Sequence, residues 1–280
     1  VKRALLWTST LARTLLSRCI PLYFSTEKTM NFKSKIILAL LATSSAAFAQ
    51  TAPAAPESAI AYNVGVASEY RYRGIAQTKG DAALQGGVDY TNANGFYAGA
   101  WGSTIKWIKD AGSDAKGPVE LDLYGGYKFE AAGIAYDVGY LRYEYVNNTY
   151  NKVSGAVNAN TDEVYGAATY GVVTAKYSYA FSDLFGTANS KGSAYWDLSA
   201  NFDLGNGYTL TPHAGRQVIK NSPNSYTDIA LTVNKDLGDG LSASVAAIST
   251  SVKDNTFYTS TATSYNTAKN ALVVGVKYSF

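Results

Sequence analysis

Acidic and basic side chains recur in this sequence at alternate positions. Glu69, Arg71 and Arg73 form one such series, and Glu120 and Asp122 form another. Gln85, Asp89, Lys128, Lys176 and Asp197 hold comparable places in other segments. Residues two apart share a face of a β-strand, so each series would line one wall. Across a water-filled gap, opposed charges set up a transverse field that orients polar solutes and sets ion preference, as charged rings do in channels. The same charges could instead neutralise one another and fill a narrow barrel, since small barrels pack their interiors with side chains.

Other chemistry is poorly supported. His213 is the single histidine. As the general base of a hydrolase it would need a serine beside it, and its neighbours on the same strand face are Thr211 and Gly215. A lone lumen or rim histidine is the simpler reading, and no enzyme site follows from it. One histidine and one cysteine (Cys19) do not make a transition-metal site, and no cofactor is implied. The acidic pairs Asp110/Asp114 and Asp162/Glu163 read as solvated loop charge, with weak divalent-cation contact to lipopolysaccharide as the sharper alternative. Gly86-Gly87 and Gly125-Gly126 lie within strand patterns and open no helix, so they are not phosphate loops. They suit strand bending or close packing.

The elements that must position these residues are strands. From Ile60 to Phe280 the apolar period is close to two, and the pattern gives twelve strands. They fall near 60–73, 82–91, 95–107, 119–129, 134–146, 162–170, 172–182, 193–204, 208–219, 226–237, 241–252 and 269–280. A tilted membrane strand needs about 9–11 residues. Connections alternate in length. Asn92–Asn94, Glu130–Gly133, Gly171, Gly205–Gly207 and Gly238–Gly240 make tight turns, where Asn and Gly supply positive φ. Long polar connections lie near 74–81, 108–118, 147–161, 183–192, 220–225 and 253–268, those at 147–161 and 253–268 being candidates to gate a pore. An even strand number with sorted connections describes an all-β, transmembrane antiparallel barrel with both termini periplasmic.

The two faces separate chemically. Tyr62, Val64, Val66, Tyr70 and Tyr72 fall on the expected lipid face of the first strand, and Trp196, Leu198, Phe202 and Leu204 on that of the eighth. A Lys or Arg facing lipid at mid-bilayer costs roughly 2–4 kcal/mol, so the charged face belongs inside. Arg142 and Glu144 break the pattern by sharing parity with Ile134, Tyr136 and Val138. Either a bulge shifts the face there or both charges lie above the bilayer.

Residues 30–49 have the order of a secretory signal. Lys33 and Lys35 precede an apolar core, Ile36–Ala42, and Ala47-Phe-Ala49 provides a small-residue cleavage site. Met30 is the single methionine and sits where that signal would begin, so residues 1–29 read as an upstream extension. Residues 50–59 form a short periplasmic leader and 60–280 the barrel. Seven of the 24 basic and one of the 21 acidic residues precede Gln50. Residues 50–280 therefore carry 17 basic and 20 acidic groups, a net charge of −3, with no cationic face for nucleic acid.

Several blocks resemble the TorF porin family. The most specific is Ser68-Glu-Tyr-Arg-Tyr-Arg-Gly-Ile-Ala-Gln-Thr78, whose Arg-x-Arg-Gly followed by Gln-Thr is not a product of strand alternation. Gln85-Gly-Gly-Val-Asp89, Gly95–Ser103, Glu120–Tyr127, Tyr136–Tyr140, Ala175–Tyr179 and Asp197–Ala200 extend it over the chain, with departures at Ala76 and Tyr145-Val146. The resemblance implies a pore for small hydrophilic solutes or ions. A closed structural or surface barrel working through its loops is the alternative. The final strand then closes the ring on the first, and Val276, Tyr278 and Phe280 are the expected signal for the barrel assembly machinery. Other expected partners are outer-membrane lipid and lipopolysaccharide.

Overall fold

The computed structural model describes residues 59–252, 256–260 and 263–280. The expected extension, signal and all but the last residue of the leader lie outside them, as does part of the 253–268 connection.

Twelve antiparallel strands close into a barrel. They are β1 Ala59–Ala67, β2 Ala83–Thr91, β3 Phe96–Thr104, β4 Val119–Ala131, β5 Ile134–Tyr145 and β6 Thr161–Tyr170. The ring continues with β7 Val173–Ala180, β8 Ala194–Ala200 resuming at Phe202–Gly205, β9 Tyr208–Val218, β10 Tyr226–Gly238, β11 Leu241–Thr250 and β12 Ala271–Ser279. Each strand pairs with its neighbours in sequence, and β12 returns to β1. At that seam Val66 lies opposite Val276 and Val64 opposite Tyr278. Phe280 and Tyr62 exchange backbone hydrogen bonds of 2.8 and 3.0 Å, and their rings stack at 5.6 Å. A closed ring leaves no strand edge unpaired.

The tight turns follow the expected chemistry. Asn206-Gly207 and Asp239-Gly240 both place two successive residues at positive φ, the geometry of a two-residue hairpin turn. At Gly240 a Cβ would come within 2.1 Å of the Ser279 carbonyl oxygen, so only glycine fits beside the final strand. Long connections gather at the other end of the barrel.

The outer surface is apolar in alternation with the lumen. Ile60, Tyr62, Val64 and Val66 of β1 point outward, as do Val276, Tyr278 and Phe280 at the seam. Aromatic rings on this surface form a ladder near the short-turn end: Phe96 meets Tyr127 at 4.7 Å, Tyr127 meets Phe129 at 5.8 Å and Phe129 meets Tyr136 at 5.1 Å. Such a band suits an apolar slab flanked by interfaces.

One expectation needs correction, and one of two open alternatives falls away. The first strand ends at Ala67, not at 73, and Tyr70 and Tyr72 are buried inside the barrel. The chain turns inward there because Arg73-Gly74 forms its own tight turn (φ +46° and +80°), pairing Arg71 with Ala76 and Tyr72 with Ile75. The alternatives concern Arg142 and Glu144. No bulge occurs, since β4 and β5 pair in unbroken register from Glu120↔Tyr145 to Ala131↔Ile134. Both charges point outward at the long-loop end. Arg142 bonds Glu144 at 2.7 Å and Asp162 at 3.0 Å.

Candidate functional site

The site is the barrel interior at the long-loop end, where the hairpin of residues 68–78 lies across the lumen. It grows from β1, and in a ring of twelve the strands opposite β1 are β6, β7 and β8. Arg73 reaches that far wall. Its guanidinium binds the Glu163 carboxylate on β6 through two bonds, of 2.9 and 2.7 Å, and donates to Gln217 Oε1 on β9 at 2.8 Å. Tyr143 on β5 donates to the same carboxylate at 3.0 Å, and its hydroxyl is also bonded to that of Tyr72. The Arg73 cation lies 4.3 Å from the centroid of the Tyr195 ring on β8. A bidentate pair of this kind fixes orientation as well as distance. Gly74 at the tip packs against β10 and β11, where a Cβ would lie 2.7 Å from the Cβ of Asp228 and 2.8 Å from the Thr250 methyl.

The near side of the hairpin is tied to the connection before β12. Arg71 is fully buried, bonds Glu69 at 2.6 Å, and donates to the carbonyls of Gly74 and Lys269 at 2.9 and 2.6 Å. Tyr265 donates to Glu69 at 2.6 Å. Burial pushes the Tyr265 hydroxyl above its ordinary range, reinforced by its bond to Glu69. Thus Glu69, Arg71 and Arg73 are all inside the barrel, but on a transverse hairpin and not on the strand wall.

The wall residues are distributed below and beside it. Glu120 and Asp122 are buried on β4; Tyr70 donates to Glu120 at 3.3 Å, while Glu120 Oε2 and Asp122 Oδ1 have no hydrogen-bond partner. Lys128 and Lys176 lie over tyrosine rings, 4.8 Å from the Tyr97 centroid and 3.9 Å from that of Tyr165. Gln85 is half-buried beside Ser103, and Asp89 accepts from Tyr124. Asp197 accepts from or shares a proton with His213 Nε2 at 2.8 Å, and His213 Nδ1 is 3.6 Å from Asp228. His213 is therefore not isolated: it sits between two carboxylates, with the Tyr195 hydroxyl 3.2 Å from Nε2. The lumen carries both signs of charge: Arg71 and Arg73 are matched to carboxylates, whereas Lys128 and Lys176 lie on tyrosine rings.

Reading by sequence missed the far-side anchors. Glu163 is not solvated loop charge; it is buried and holds Arg73, while its neighbour Asp162 points outward to Arg142. Alternation assigns those two acids to opposite faces, which is the signal that separates them. Gln217, Tyr143 and Tyr195 carried no distinguishing mark beyond inward parity.

Above the hairpin lies a chamber of about 620 Å³. Tyr72, Ile75, Ala76 and Gln77 of the hairpin form part of its lining, and the long connections supply most of the rest, with Tyr145, Gln217 and Tyr226 from strand ends. Among these, Ser260 donates to the Asp110 carbonyl at 2.7 Å and so ties the last connection to the one before β4. Burial raises the Tyr150 and Tyr258 hydroxyls above their ordinary range, keeping them neutral donors.

Among solved structures, the chain is similar to the NanC porin in a rhombohedral crystal form, with 12% identity and a TM-score of 0.50, covering 79% of this chain and 99% of that one. The KdgM porin gives 10% identity and 0.48, covering 79% and 98%. An outer membrane channel from Pseudomonas putida F1 gives 12% and 0.48, covering 82% and 99%. At these identities the likeness is one of fold. No curated protein matches the sequence. Residues 50–280 match the family described as "Bacterial protein of unknown function (Gcw_chp)".

Proposed function

The chain belongs to the Gcw_chp family, and from the geometry of its barrel we propose that it is a porin-like channel of the outer membrane. It passes small hydrophilic solutes or ions by passive diffusion. The observation that carries this reading is the inward hairpin. A closed ring with an apolar exterior and a charged interior is crossed by one short segment, which narrows a passage that twelve strands already make small. The resemblance of Ser68–Thr78 to the TorF porins supports the same reading, since that block forms the hairpin.

In this proposal the signal at 30–49 directs export, the short turns and both termini face the periplasm, and the long connections face outward. Outer-membrane lipid meets the apolar band. Arg142, Glu144 and Asp162 stand at the level of lipopolysaccharide headgroups. The barrel assembly machinery reads the strand ending in Val276, Tyr278 and Phe280. Glu69, Arg71, Arg73, Glu120, Asp122, Lys176 and Asp197 set the field in the passage. No catalytic step is assigned.

The tight latching of the hairpin favours one second reading, a closed surface barrel whose loops are the working parts. Purified protein in a planar bilayer separates the two. Discrete conductance steps, smaller than those of general porins, support the channel; a folded barrel that stays silent supports the surface protein and refutes the channel.

A further inference from the structure

We propose that the chamber above the hairpin binds a neutral, hydroxyl-rich ring solute: a saccharide of one or two rings. The inference deepens the channel reading and rests on it for its biological meaning, because a chamber above the constriction lies on the path through the barrel. Its volume of about 620 Å³ falls among ligand sites, which run to about 300–1,000 Å³.

Three features of the lining select the ligand. Aromatic side chains arrive from four different connections, with Trp107, Tyr150, Phe185 and Tyr258 one from each. Aromatic rings offer apolar faces with polar tips, which match the C–H faces and hydroxyl rims of a pyranose. Among the described residues, the charged lining residues are Lys79 and Asp110, one of each sign. Among these residues an anionic sugar finds no surplus of cations. The remaining polar lining is amide and hydroxyl, including Gln77, Gln217 and Asn221, which bond hydroxyls without demanding charge.

The third feature is a pair of unmet hydrogen bonds. Trp107 Nε1 and Asp110 Oδ2 are buried without a partner among the described residues, and both residues line the chamber. One is a donor and the other an acceptor. A sugar hydroxyl can serve both, whereas a quaternary ammonium satisfies the carboxylate and the rings but leaves the indole N–H unmet. Both atoms lie behind the chamber surface, so binding turns the two side chains toward the ligand and changes the surroundings of the indole.

The test uses the full refolded chain in a zwitterionic, sugar-free detergent. Maltose, cellobiose, sodium galacturonate and choline chloride are titrated by calorimetry, with tryptophan emission followed in parallel. Saturable binding of a neutral disaccharide with a shift in emission is expected. Trp107→Phe and Asp110→Asn should each weaken it roughly 3- to 10-fold, the range set by one hydrogen bond. The proposal is overturned if neither disaccharide binds, if galacturonate or choline is preferred, or if both variants bind like wild type. Conductance in planar bilayers is read separately. A conducting barrel without sugar binding removes the saccharide site and leaves the channel; a silent barrel that binds sugar does the reverse.

Discussion

Replacing Arg73 by alanine removes the clamp that holds the hairpin to the far wall. The guanidinium makes three hydrogen bonds of 2.7–2.9 Å, two to Glu163 and one to Gln217. Both charged side chains are almost fully buried, 4% and 2% exposed. Removing one partner of a buried ion pair costs about 3–5 kcal/mol, because the other charge is left uncompensated. The residue at position 73 must still adopt positive φ, so alanine keeps the strain of the turn without the contacts that offset it. Even the lower figure moves the balance between latched and released hairpin by about a hundredfold, at 1.4 kcal/mol per factor of ten. Single-channel recording reads this as larger steps or longer open times in R73A. Glu163→Gln, which keeps the shape and removes the charge, moves the same way by less. The strand ladder is untouched, so the heat-modifiable mobility of the folded barrel in gels should persist in both. Wild-type step size and open lifetime in R73A and E163Q together would refute the latch.

Gly74→Ala tests the same hairpin by volume. Its φ of +80° and the 2.7 Å approach to Asp228 leave no room for a methyl group, so the variant should open like R73A; an unchanged conductance counts against close packing of the tip. Deleting Phe280 removes two seam hydrogen bonds and the stack on Tyr62 and should reduce insertion more than expression, with normal surface-loop labelling as the contrary result. Leu231→Arg places a cation on the outward face of β10, where Leu231 is 49% exposed. It should destabilise the barrel in lipid by roughly 2–4 kcal/mol, measured by denaturant refolding into vesicles, while equal stability would place that face in water.

How far the sequence exposes this architecture depends on what alternation can and cannot distinguish. Strand positions and tight turns were legible because one face is apolar and the turns, Ala132 apart, carry Asn, Asp and Gly where positive φ is needed. The end of β1 was not. Tyr70 and Tyr72 keep the parity of Tyr62 and Val64, so period two runs on past Ala67 although the chain has turned into the lumen. The clue was Arg73-Gly74, a two-residue turn too close to the preceding strand to join two membrane-spanning strands. Arg142 and Glu144 show the converse: charge on the outward face did not mean a shifted register, since Arg142 pairs there with both Glu144 and Asp162. The partners of Arg73 were beyond reach because Glu163 and Gln217 are 90 and 144 residues away, and no local pattern records such a distance.

Those separations also bear on the order of assembly. The hairpin belongs to the first strand made, yet its anchors lie on β6 and β9, and the carbonyls that hold Arg71 directly precede β12. Loop-closure entropy makes contacts so distant in sequence late to form. Arg71 has Glu69 two residues away, but Arg73 must wait for its carboxylate until nearly the whole sheet has curled around the hairpin. The seam between β1 and β12 joins the first and last strands of the ring and so encloses the hairpin. A sheet that closed before admitting it would strand two arginines outside and leave Glu163 without its cation. The ion pair thus doubles as a check that the ring was sealed with its contents in place.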